Sequence, residues 1–138
     1  MHSSQQLKIL IVDDHFLARQ IVTNVLREHN IEAVDTATNG NEAKEAICNA
    51  FEQHKPYDIV FLDWNMPGME GIDVLAHFRA DSRFNKTAFV MLTAAADQSD
   101  VIRAIKAGAT GYIVKPVSRS TVSKKLVEVQ EWLKNAQR

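Results

Sequence analysis

One cysteine, Cys48, stands in the whole 138-residue sequence, so neither an internal disulfide nor a multi-cysteine metal site can form. An excess of one charge is missing too. The 16 Lys and Arg against 17 Asp and Glu leave a net charge of −1, and no global basic field argues for nucleic acid. No apolar run approaches the roughly 18 residues that a membrane span needs. The opening "MHSSQQ" is polar and lacks the apolar stretch of a secretory signal. Residues 1–6 are therefore expected to be a flexible lead-in, and the cytoplasm is the expected location. Internal linkers, repeats and low-complexity stretches are absent. What remains, 46% hydrophobic and 24% charged, is the balance of an ordinary soluble globular protein. The length suits one domain, and a chain this size buries about two-thirds of its unfolded surface.

Short apolar runs punctuate the chain. "LKILIVDD" (7–14) ends in two acids, and "YDIVFLD" (57–63) repeats that design. "TAFVMLT" (87–93) ends in a threonine and "GYIVKP" (111–116) in a lysine and proline. Rich in Ile, Val and Phe and too short for helices, these read as buried strands. "IEAVDTA" (31–37) alternates more and predicts an edge strand. Between the runs the period changes. Ala18, Ile21, Val22, Val25 and Leu26 share one helical face, as do Ala43, Ala46, Ile47, Ala50 and Phe51. Residues 71–80 and 98–107 predict shorter helices. Val122, Leu126, Val129 and Leu133 mark a last one, with Ser118 or Ser120 as its N-cap. Five strands alternating with five helices predict a doubly wound α/β domain with a parallel sheet, spanning residues 7–135 and leaving no room for a second domain.

In open α/β sheets, ligands bind outside the carboxyl ends of the strands. Asp13 and Asp14 follow the first strand, Asp63 ends the third, Thr93 the fourth and Lys115 the fifth. Such a sheet brings these ends to one rim. Three carboxylates there repel unless one is protonated or a cation holds them. On that view, removing Asp14 should relieve the crowding. Magnesium prefers oxygen ligands, keeps waters and often works with phosphate. A lysine and a hydroxyl on the same rim suit phosphoryl transfer, which is mostly positioning and charge neutralisation. An aspartate can itself become an aspartyl phosphate.

"ILIVDD", "DWNMPGMEG", "MLTA" and "GYIVKP", in this order and spacing, resemble the signatures of two-component response-regulator receiver domains, including single-domain chemotaxis regulators. The resemblance covers roughly residues 7–134 and implies a flavodoxin-like sheet of order 2-1-3-4-5. It implies that Asp63 is the phospho-acceptor and that Asp13, Asp14, Asp63 and the backbone carbonyl of Asn65 hold Mg2+. Thr93 would bond the phosphoryl group, Lys115 would pair with it, and Pro116 would follow a cis bond. Tyr112 would be an aromatic switch that moves when Thr93 is drawn to the phosphate. Asn65 and Ala95 would tune the phosphoryl lifetime. Ala95 cannot orient an attacking water, so slow self-dephosphorylation is expected. The donor would be a histidine kinase or a phosphotransfer protein. Output would go to a protein partner over a face around Val101, Ile105, Tyr112 and Lys125, without nucleic acid or membrane. The chain would be a monomer or a weak phosphorylation-dependent dimer. A shuttle or sink in a phosphorelay is the alternative use of the same chemistry.

Blander readings exist for each residue. An acid pair before a helix ordinarily caps it. Lys115 alone would be a solvated lysine, and Trp64 alone a plain surface aromatic. The five histidines show no ligand spacing, and His15 stands out only because it follows Asp14. "AAADQSDV" after Thr93 has Asp97 and Asp100 where the best-known chemotaxis regulators are basic. A haloacid-dehalogenase-like phosphatase would need a second acid two residues after its nucleophile, which "DDHFL" lacks. An FMN carrier would need a Ser/Thr/Gly-rich loop where "DDHFLAR" stands.

Overall fold

The computed structural model describes residues 6–94 and 97–136. Five parallel strands, β1 (Lys8–Val12), β2 (Ala33–Ala37), β3 (Ile59–Asp63), β4 (Ala88–Thr93) and β5 (Gly111–Val114), form one sheet. Their order is β2-β1-β3-β4-β5, as the resemblance implies. Between and after them lie α1 (Phe16–Glu28), α2 (Gly40–Glu52), α3 (Gly71–Arg79), α4 (Gln98–Lys106) and α5 (Arg119–Ala136).

The inner strands β1, β3 and β4 are apolar between their ends because both faces of the sheet are covered there. Successive side chains point to opposite faces, and the core divides accordingly. Ile9, Ile11, Ile59, Phe61, Val90 and Leu92 pack against Val22, Val25 and Leu26 of α1 and the Val122–Leu126–Val129–Leu133 stripe of α5. Leu10, Val12, Val60, Leu62, Phe89 and Met91 pack on the other side with residues of α2, α3 and α4. β2 lies at the sheet edge, and its greater exposure follows from that position.

Helix ends follow their polar residues. Asn39 accepts from the Glu42 N–H, and Glu42 reaches back to the Thr38 N–H at 2.8 Å. Ser118, rather than Ser120, caps α5, its hydroxyl accepting from the Thr121 N–H at 3.3 Å. Asp97 accepts from the Asp100 N–H at 3.0 Å and from the Ser99 hydroxyl at 2.7 Å. The acid at this position thus has a capping task, and Asp100 stands in the first turn, where a helix favours negative charge.

Arg79 gave no signal in the sequence. Its guanidinium donates to the carbonyls of Gly108, Phe84 and Thr87, each at 2.8 Å, and lies 4.8 Å from the centre of the Phe89 ring. It ties the end of α3 to the loops before β4 and β5. Arg79→Met should cost about 2–3 kcal/mol, because it removes charge-assisted donors from three carbonyls at once. Arg79→Lys should recover only part, since an ammonium cannot span the fork. Urea unfolding of both variants checks this, and a parent-like midpoint for Arg79→Met would refute it.

Candidate functional site

The sheet ladder carries the predicted residues to one rim. Val12 pairs in register with Leu62, and Asp63 with Leu92. The ladder continues past the strands through Asp13 N–H to Ala37 O at 3.1 Å, Trp64 N–H to Leu92 O at 2.9 Å and Lys115 N–H to Thr93 O at 2.7 Å. Asp13, Asp63 and Thr93 are all buried. The turn after Asp63 keeps α3 close beneath it. Gly68 has φ of +84°, a conformation only glycine adopts freely. A Cβ on Gly71 would stand 2.0 Å from the Asp63 carbonyl oxygen, so no other residue fits there.

The acids do not cap α1: its N-cap is His15, whose side chain makes no capping hydrogen bond to the first turn. Instead Asp13 Oδ1 accepts from the His15 N–H at 2.9 Å. Lys115 Nζ lies 2.9 Å from Asp13 Oδ2 and 3.2 Å from Asp63 Oδ1, bridging the two buried carboxylates. The Asp13 contact is an ion pair without hydrogen-bond alignment, and Asp63 Oδ2 is buried with no hydrogen-bond partner among the described residues. Asp14 is different. Its side chain is 32% exposed and approaches His15 Nδ1 at 3.2 Å.

Burial lifts the Asp63 carboxyl to about 6, and the Asp13 charge adds to the lift, while Lys115 and the Asn65 N–H oppose it. Burial also pushes Asp13 upward. There, however, hydrogen bonds from the His15 N–H and the His15 ring, together with the ion pair to Lys115, outweigh it and hold the group below the ordinary range. Lys115 is depressed by burial, yet its two carboxylate partners raise it overall. The crowding is therefore between Asp13 and Asp63, and its relief lies at Asp63 rather than at solvent-facing Asp14.

Other expectations fall around this centre. The Lys115–Pro116 bond is cis. Asn65 is exposed beside Asp63. Tyr112 is partly buried against the core, with Lys125 Nζ 5.7 Å from its ring centre. Val101 is partly buried and Ile105 is exposed. Ala95 lies outside the described residues. Trp64 is not a surface aromatic: it is buried in the α2–α4 core with the Arg103 guanidinium 5.4 Å from its ring. His15 also takes part in this cluster. Its Nδ1 lies 2.9 Å from Asp13 Oδ1. The only sequence signal was adjacency to the acid pair.

Asp13, Asp14, His15 and Asp63 each present a ligand atom, all within 4.8 Å of one another. The oxygen-rich set and the orphaned Asp63 Oδ2 fit a small divalent cation.

The family model for the response regulator receiver domain matches residues 9–127. The chain belongs to the response regulator receivers. The receiver is 39% identical over 130 residues to chemotaxis protein CheY-3 of Vibrio cholerae, covering 94% of this chain and 96% of that one. It is 37% identical over 125 residues to CheY of Pseudomonas aeruginosa, covering 91% and 97%. Among solved structures, CheY4 of Vibrio cholerae superposes with a TM-score of 0.76 at 34% identity, over 89% of this chain and 98% of that one. A complex of CheX, CheY, BeF3 and Mg2+ from Borrelia burgdorferi gives 0.77 at 29% identity, over 90% and 89%. This is a signalling family of two-component systems, and receivers bind Mg2+ at an acidic pocket. Among the described residues, no helix is long and apolar enough to cross a membrane.

Proposed function

We propose that Asp63 of this receiver accepts a phosphoryl group from the phosphohistidine of a histidine kinase or phosphotransfer protein, and that the modified surface controls a protein partner. The observation that carries this reading is the buried rim: among the described residues Asp63 Oδ2 has no hydrogen-bond partner, and Lys115 touches both Asp63 and Asp13. A group with a value of about 6 is mostly ionised at neutral pH and serves as the nucleophile. An Asp63 oxygen forms the new O–P bond as the donor's N–P bond breaks, and the electron pair stays on the donor's imidazole. Lys115 exchanges a carboxylate for a phosphoryl oxygen, and the Thr93 hydroxyl donates to another. Asp13, Asp14, Asp63 and the carbonyl of Asn65 would hold Mg2+, which supplies charge neutralisation when bound.

Movement of Thr93 toward the phosphoryl group frees space for Tyr112, and the surface around Val101, Ile105, Tyr112 and Lys125 carries the output. Kinship with chemotaxis proteins supports a chemotaxis role, a cytoplasmic location, and partners of the kind that bind CheY. Asn65 and Ala95 set a slow loss of the phosphoryl group.

Trp64 follows Asp63 directly and is buried, so it should report the reaction. Millimolar Mg2+ should change its fluorescence, and beryllofluoride should add a tighter, Mg2+-dependent change. Trp132, which packs near the end of α5 against the opposite core, should be silent, so Trp132→Phe should keep both responses. A signal blind to both additions would overturn the proposed site.

A further inference from the structure

The proposed chemistry of Asp63 leaves His15 without a task. His15 occupies the N-cap of α1, yet its ring bonds none of the helix N–H groups. The ring turns back over the acids instead. Nδ1 stands 2.9 Å from Asp13 Oδ1, 3.2 Å from Asp14 Oδ1 and 3.5 Å from Lys115 Nζ. The backbone N–H of the same residue holds Asp13 Oδ1 at 2.9 Å, which fixes where the ring begins. Neighbouring ligands of an octahedral ion with bonds of about 2.1 Å lie about 3.0 Å apart. The separations between Nδ1 and the two carboxylate oxygens match that edge. Asp63, only 2% exposed, brings a fourth ligand atom to the cluster, and its Oδ2 is buried without a hydrogen-bond partner among the described residues.

We propose that His15 ligates the site's cation through Nδ1, so that this receiver holds a mixed nitrogen–oxygen site that takes Mn2+, Co2+, Ni2+ or Zn2+ in preference to Mg2+. The inference rests on the acidic pocket being the cation site, and it names the class of ion. Mg2+ demands oxygen ligands and gives up water reluctantly. Imidazole nitrogen suits the later divalent ions, whose affinity for a given site also climbs from Mn2+ toward Cu2+. The ring places its proton on Nε2, on the solvent side, and gives its Nδ1 lone pair to the ion. The side chain is 65% exposed, so the ring can adjust without disturbing the core. Asp13 Oδ1 keeps the His15 backbone N–H when the ring leaves it for the ion, which holds the ligand in place.

The test titrates the full chain with Mg2+, Mn2+ and Ni2+ by calorimetry, for the parent and for His15→Ala. The exposed position makes this variant safe for folding, which circular dichroism verifies. His15→Ala should weaken Ni2+ binding about tenfold or more and change Mg2+ affinity less than about twofold. Pulsed electron paramagnetic resonance of bound Mn2+ should detect a directly coordinated nitrogen in the parent and none in His15→Ala. Equal changes for Mg2+ and Ni2+, or no nitrogen signal in the parent, overturn the role of His15. A Ni2+ site formed by the other histidines would survive His15→Ala and count against it equally. If the Mg2+ and beryllofluoride responses of Trp64 persist in that case, the phosphoryl-acceptor reading stands and only the nitrogen ligand fails. A parent chain that binds no divalent ion at all sinks both.

Discussion

Asp63→Asn is expected to take up no phosphoryl group from acetyl phosphate and Mg2+, and to be more stable than the parent chain in chelator at pH 7. The first half follows from chemistry, because an amide is no nucleophile toward phosphorus. The second follows from the electrostatics of the rim. Burial and the Asp13 charge raise Asp63 to about 6 in the folded chain, whereas an unfolded aspartate titrates near ~3.9. Between these values the folded protein still holds a proton that the unfolded chain has lost. Stability therefore falls as pH climbs from about 4 to about 6, and the loss is complete above that window. The shift is already net of the attraction by Lys115. It corresponds to about 2–3 kcal/mol, with the lower figure favoured because Asp13 shares the same field. Asparagine carries no charge at any pH, so its advantage should be present at pH 7 and vanish below about pH 4. Intact-mass spectrometry tests the first half, and urea unfolding at the two pH values the second. Full labelling of the variant would assign the acceptor elsewhere. A variant less stable in chelator would show that the Asp63 charge is not what costs the fold.

Lys115→Met should be the mirror image. Lys115 is the cation shared by two buried carboxylates, at 2.9 and 3.2 Å, and its own side chain is only 17% exposed. Removing one partner of a buried pair leaves the other charge uncompensated. Here two charges are left, so the variant should lose about 3–5 kcal/mol in chelator at pH 7. Three changes should restore it. Lowering the pH protonates Asp63 and removes one of the charges. Adding Mg2+ replaces the lost cation, so the ion should raise the melting temperature more in the variant than in the parent. Combining Lys115→Met with Asp63→Asn removes the repulsion outright, and the double variant should be more stable than Lys115→Met alone. Thermal melts across this set decide it. A double variant as unstable as Lys115→Met would mean that the lysine stem acts by packing, not by charge.

The sequence by itself determined the layers, the strand ends and the inventory of the rim. Apolar runs at 9–12, 59–62 and 88–92 required a sheet covered on both faces, and the more polar run at 33–37 required an edge. Asp13, Asp14, Asp63, Thr93 and Lys115 were legible because parallel strands must end on the same side, whatever the details of packing. Distances between segments a hundred residues apart are another matter, because they depend on which side chain turns toward which once the helices are docked. Only the tertiary structure decided that Lys115 bridges Asp13 and Asp63, while Asp14 turns to solvent and His15. A helix N-cap is normally a local choice, yet the His15 ring leaves its helix for the acids that the sheet has gathered beside it. Trp64 reads as a loop aromatic in sequence, and it is buried because it packs into the core shared with residues of α2, α3 and α4. Arg79 is one charged residue among many until the loops before β4 and β5 turn three carbonyls toward it. Periodicity encodes which face a residue shares with its own neighbours, and only the docked elements supply partners from elsewhere in the chain.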